Sequence, residues 1–74
     1  MRIYPDEKGS LILKEGDYGK DKDGVWWCRP PGGHAGVLIE HTVTEHEDGT
    51  ITVSPSIIDG NIHCYLERGI WRNC

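Results

Sequence analysis

The sequence predicts a mostly β fold: a small, single-domain antiparallel sheet of hairpins with little or no helix, spanning residues 1–74. Three observations carry this. Residues 36–54, GVLIEHTVTEHEDGTITVS, are dense in Val, Ile and Thr, whose branched side chains suit a pleated, half-buried surface. Asp48-Gly49 interrupts that stretch with a strong hairpin signal. Ten glycines and four prolines cut the remaining apolar runs into strand-sized lengths.

The elements follow in chain order. Residues 1–4 form a short strand ended by Pro5 and the charged turn at 6–9. Residues 10–15 (SLILKE) are a second strand candidate, although so short an apolar run does not exclude helix. Residues 16–24 (GDYGKDKDG) read as a polar loop. Its DKDG resembles a calcium loop but lacks the acidic spacing and closing Glu that calcium requires. Residues 24–29 (GVWWCR) form an apolar strand. Neighbouring side chains point to opposite faces, so Trp26 and Trp27 cannot share one core; one of them is either open to a partner or covered by a loop. Pro30-Pro31-Gly32-Gly33 then breaks the chain.

The central hairpin pairs residues 37–46 with 50–54. A two-residue loop would set Thr44 opposite Val53. A three-residue loop with Gly49 left-handed sets Val43 opposite Val53 and Glu45 opposite Ile51. The second register is preferred, because it gathers Val37, Ile39, His41, Val43, Ile51 and Val53 on one apolar face. Leu38, Glu40, Thr42, Thr44 and His46 then share the wet face. Residues 57–60 read as a turn and 61–66 as a strand. A three-residue loop at Glu67-Arg68-Gly69 leads into a closing strand at 70–74, because Arg disfavours the positive φ that a two-residue turn would demand. That register pairs Tyr65 with Trp71 and Cys64 with Arg72.

Charge is the most one-sided property. Net charge is −4. Residues 1–29 hold six acids and six bases, whereas residues 30–67 hold Glu40, Glu45, Glu47, Asp48, Asp59 and Glu67, no Lys or Arg, and all four histidines. Such a stretch repels nucleic acid and attracts basic surfaces, unless it is only the solvated face of a sheet. The polar opening, MRIYPDEKGS, predicts no secretory signal, and no apolar run approaches a membrane span. Three cysteines suit a reduced, cytoplasmic setting better than a disulfide framework.

Zinc would suit so small a core. Its candidate ligands are Cys28, His34, His63, Cys64 and Cys74, with His41 and His46 further off. No spacing among them makes a CxxC knuckle, and buried thiols with ordinary histidines are the simpler reading. Cys-His pairs can be written for nucleophilic catalysis, but no orienting third residue accompanies them. The sequence therefore points to binding, not to an enzyme.

Residues 24–74 are similar to a family of small, uncharacterised bacteriophage and prophage proteins. The resemblance lies in Trp27-Cys28-Arg29-Pro30-Pro31-Gly32-Gly33-His34, in Ser54-Pro55-Ser56-Ile57 and in His63-Cys64-Tyr65-Leu66-Glu67-Arg68-Gly69-Ile70. Two departures stand out: Gly32 and Gly33 occupy the region of the family's second cysteine, and Cys64 follows His63 where the family's cysteine precedes it. The resemblance implies a β-rich phage protein acting in the host cytoplasm. The expected function is binding to a basic host protein surface, in its most concrete form inhibition of a host defence complex in the manner of an anti-CRISPR protein. Glu40, Glu45, Glu47 and Asp48 would supply charge, and Trp26, Trp27 or Trp71 an aromatic anchor. The expected cofactor is none, with zinc as the alternative. The expected assembly is a monomer or homodimer without direct nucleic-acid or membrane binding.

Overall fold

The structure, a computed structural model, describes residues 1–73. It contains eight strands and no helix among them: β1 (Arg2–Ile3), β2 (Tyr18–Lys20), β3 (Trp26–Cys28), β4 (Gly36–Val37), β5 (Thr42–Glu45), β6 (Ile51–Asp59), β7 (Ile62–Glu67) and β8 (Ile70–Asn73). They form two four-stranded sheets, β1-β2-β3-β4 and β5-β6-β7-β8. The second is an antiparallel meander, and the first is antiparallel except for the parallel pair β1·β2. The expected mostly β fold is present, divided between two sheets instead of one.

The core lies where the sheets face each other. Tyr18 and Cys28 come from the first sheet; Ile51, Val53, Ile57, Cys64 and Leu66 come from the second; Leu38 joins from the connection between them. Trp26 and Trp71 pack against this cluster at its margin. With no Phe in the chain, Tyr18 and these two indoles supply the aromatic bulk.

The central hairpin has the expected register: Val43 faces Val53 and Glu45 faces Ile51. Its loop is Glu47-Asp48-Gly49, closed by His46 N–H to Thr50 O at 2.8 Å, and Gly49 takes φ +87°. Asp48 Oδ1 accepts from the Thr50 amide at 3.0 Å and from the Thr50 hydroxyl at 2.6 Å, which pins the turn.

Several expectations are corrected. Residues 37–46 are not one strand. The chain pairs at Gly36–Val37, turns through residues 39–41 with His41 N–H bonded to Leu38 O, and resumes at Thr42. The turn resets the alternation, so Leu38 is buried and Ile39 is 73% exposed, the reverse of the expected faces. Residues 57–60 are not a turn: β6 runs on to Asp59, and the reversal is Gly60-Asn61, between the paired residues Asp59 and Ile62. Residues 10–15 form no strand, and residues 16–24 are not all loop, because they contain β2. Leu11 and Leu13 instead cover the outer face of the first sheet around Gly19 and Trp27. Gly19 is required there: a Cβ would collide with the backbone carbonyl of Ile3 and so break the β1·β2 pairing.

The last hairpin is also corrected. Glu67 pairs with Ile70, Leu66 with Trp71 and Tyr65 with Arg72, so the loop is the two-residue Arg68-Gly69. Arg68 accepts φ +46° and Gly69 φ +77°. The expected Tyr65–Trp71 pair is absent because Trp71 belongs to the inner face with Leu66. Tertiary bonds outweigh the local cost at Arg68: its N–H donates to Thr52 Oγ1 at 3.1 Å, and Gly69 N–H donates to Ile51 O at 3.0 Å. Substituting Arg68→Asn keeps these backbone bonds and relieves the left-handed strain, so stability should rise by about 1 kcal/mol. Equilibrium urea unfolding would check it; an unchanged or lower midpoint would contradict the strain.

Candidate functional site

The first candidate is the acidic turn. Alternation along β5 puts Glu45 on the same face as Val43, towards the first sheet. There Arg2, on the inner face of β1, meets it. Arg2 Nη1 donates to Glu45 Oε2 at 2.9 Å and to Gly49 O at 3.0 Å. The guanidinium lies over the Tyr4 ring at 4.8 Å and the Trp26 ring at 4.7 Å, and its side chain is 14% exposed. Lys20 Nζ stands 3.9 Å from Glu45 Oε1 and 5.1 Å from the Trp26 ring. The hydrogen bond from Arg2, then its charge and that of Lys20, hold the Glu45 carboxyl below the usual glutamate range. Arg68 borders the shallow depression formed by Glu45, His46, Glu47 and Asp48. Glu45 therefore meets two cations, Arg2 and Lys20, while Glu47 and Asp48 form no ion pair among the described residues and only border the same depression as Arg68. Glu47 is exposed, while Asp48 is held below its usual range chiefly by its bonds to Thr50.

The tryptophans are committed to the fold. Trp26 is stacked by Arg2 and Lys20. Trp27 Nε1 donates to Asp21 Oδ2 at 2.9 Å beneath Leu11 and Leu13. Trp71 Nε1 donates to Gly16 O at 2.8 Å. None of the three is an exposed side chain.

The metal candidates are divided. Cys28 is buried in the core, and burial first, then the nearby Cys64 and Asp59, pushes its thiol up to about 12. Cys64 is buried on the inner face of β7, whereas His63 lies on the outer face with its Nε2 2.6 Å from Ser56 Oγ. His34 is an exposed side chain at the rim of the cleft that Cys28 helps to floor. Among the described residues no group of three His, Cys, Asp or Glu side chains is placed to hold a metal; Cys74 lies outside them.

The second candidate was not legible in the sequence. At the far end of β6, a cleft of about 130 Å³ opens between the sheets, lined by Cys28, Leu38, Ile57, His34, His41 and Asp59 among others, with no Lys or Arg. Eight residue steps along β6 lead from Ile51 to Asp59, on the order of 25 Å of extended chain, so this end is remote from the acidic turn. Asp59 Oδ2 accepts the His34 amide at 2.6 Å and stands 4.0 Å from His34 Nδ1. A Cβ at Gly33 would occupy the carboxylate's place, which is why this loop needs glycine there. His41 Nε2 lies 3.2 Å from Ser56 O. A carbonyl only accepts, so Nε2 carries the proton. Nδ1 of His41 is buried with no partner. Glu40 sits exposed in the turn between Leu38 and His41. Arg29 reaches the neighbouring loop but donates to Gly33 O at 3.0 Å and Leu13 O at 3.3 Å.

Comparison with family models, with curated proteins and with solved structures finds no match to this chain. No helix among the described residues is long and apolar enough to cross a membrane.

The raised Cys28 thiol gives a pH dependence. The unfolded chain loses this proton near 9 and the folded chain near about 12, so the unfolded state binds fewer protons in between. The stabilisation is complete below pH about 9 and lost as pH rises towards about 12. Tyr18, raised mainly by burial, acts in the same direction. Thermal unfolding across this range should show a steep loss of stability that becomes shallower in Cys28→Ala. An identical slope in the variant would contradict the assignment.

Proposed function

We propose that this chain is a binding domain that docks on a positively charged surface of a protein partner, using the end of the sandwich that carries Asp59 and Glu40. The supporting observation is the contrast between the two ends of β6. At the hairpin turn Glu45 is paired by Arg2 and Lys20, and Arg68 borders the depression that Glu47 and Asp48 also line. The cleft at the other end is lined by no Lys or Arg, and Glu40 forms no ion pair among the described residues. Fixed carboxylates on a rigid sheet steer a cationic partner and set its orientation.

The resemblance to phage and prophage proteins extends the proposal to a partner in a host defence complex, where an acidic domain would compete with nucleic acid for a basic groove. That step rests on the resemblance and on charge complementarity.

Capture from host extract tests the reading. The wild-type chain should retain a basic partner that dissociates as salt is raised. Reversing the exposed charge with Glu40→Lys should slow association about tenfold at low salt, while Glu47→Gln, at the opposite end of β6 beside Arg68, should change it little. Salt-insensitive capture, or equal retention by Glu40→Lys, would refute the proposal.

A further inference from the structure

The cleft at the Asp59 end has a chemistry more specific than its charge. Its floor is apolar, made by Leu38, Ile57 and Cys28, and its rim carries Val37 and the 71% exposed Ile58. At about 130 Å³ it is smaller than the roughly 300–1,000 Å³ of a typical small-molecule site, so it suits one side chain. Its polar groups are short of donors. One Asp59 oxygen accepts the His34 amide, and the other accepts no hydrogen bond among the described residues. His41 lines the same cleft, and its Nδ1 is buried and unpaired. The His34 ring is 91% exposed and so does not fill the cavity.

We propose that this cleft receives a lysine side chain of the basic partner, with the aliphatic stem against Leu38 and Ile57 and the ammonium on Asp59. This rests on the binding reading above and names its anchor. An apolar wall beside a fixed carboxylate matches a four-carbon stem with a terminal cation. Lysine fits better than arginine for a geometric reason. A guanidinium binds carboxylate best through two parallel hydrogen bonds, and Asp59 has one oxygen already engaged. A compact ammonium needs only the other oxygen and has further protons for a neighbouring acceptor such as a histidine nitrogen.

The test is an NMR titration of the isotope-labelled chain with Nα-acetyl-lysine methylamide, and in parallel with its norleucine counterpart, which keeps the stem and lacks the ammonium. The lysine probe should shift the Leu38, Ile57 and Ile58 methyl signals and the Asp59 amide. Norleucine should bind about tenfold more weakly, as should lysine to Asp59→Asn, which retains an acceptor for the His34 amide. Ile58→Arg, at an exposed rim position, supplies a competing cation without touching the core and should also weaken the lysine probe. Equal binding of lysine and norleucine, undiminished lysine binding by both variants, or shifts confined to the Glu47-Asp48 turn would overturn the proposal. If the lysine probe fails while Glu40→Lys still abolishes salt-sensitive capture, the anchor is wrong and the binding reading survives. Lysine binding that depends on Asp59 supports the anchor even if no partner is captured.

Discussion

The structure depends on where one guanidinium goes. Arg2 enters on a two-residue strand, passes between the rings of Tyr4 and Trp26, and ends on Glu45 and the carbonyl of Gly49. It thereby joins the first sheet to the central hairpin of the second. A cation sandwiched between aromatic faces and shielded from water contributes on the order of 2 kcal/mol or more. The cost is an Arg2 Nε that is buried without a partner. The bond of the Met1 ammonium to Gly16 O at 2.9 Å, shared by Trp71 Nε1 at the same carbonyl, ties the same region to β8.

This clamp redistributes the charge of the chain. Linear sequence places the bases at the front and the acids in the middle, as if the middle faced solvent as one negative field. Folding lays the front of the chain against the acidic hairpin, and Arg2 and Lys20 meet Glu45 there. At the other end of β6 no Lys or Arg lines the cleft beside Asp59, and Glu40 forms no ion pair among the described residues. A charge count along the chain gives net repulsion or attraction at long range. The local field is decided by which strands the fold brings together.

Much of the β architecture was legible. The Asp48-Gly49 hairpin, its three-residue loop and its register followed from alternation and turn chemistry, which are local. Glu45 was expected to offer its charge to a partner; the register that faces it to Ile51 puts it on the face of Val43, where Arg2 and Lys20 pair with it. What failed was decided at long range. The turn at residues 39–41 exchanged the faces of Leu38 and Ile39, because closing the core required Leu38. Arg68 took a left-handed backbone because Thr52 and Ile51 supply partners to that turn. Residues 10–15 carry apolar alternation yet cover Trp27 as an irregular segment. The Asp59 cleft draws on residues from β3, β4, β6 and the connections between them, so no local pattern announces it.

The most direct measurement of this account is a carboxyl-detected NMR titration of the twelve acidic side chains in the native chain and in Arg2→Gln. Glu45 is expected to titrate below ordinary glutamate in the native chain and to return towards the ordinary value in the variant, because the Arg2 hydrogen bond is the largest cause of its depression. An ordinary Glu45 titration in the native chain, or a depression that survives loss of Arg2, would contradict the clamp and the charge compensation derived from it.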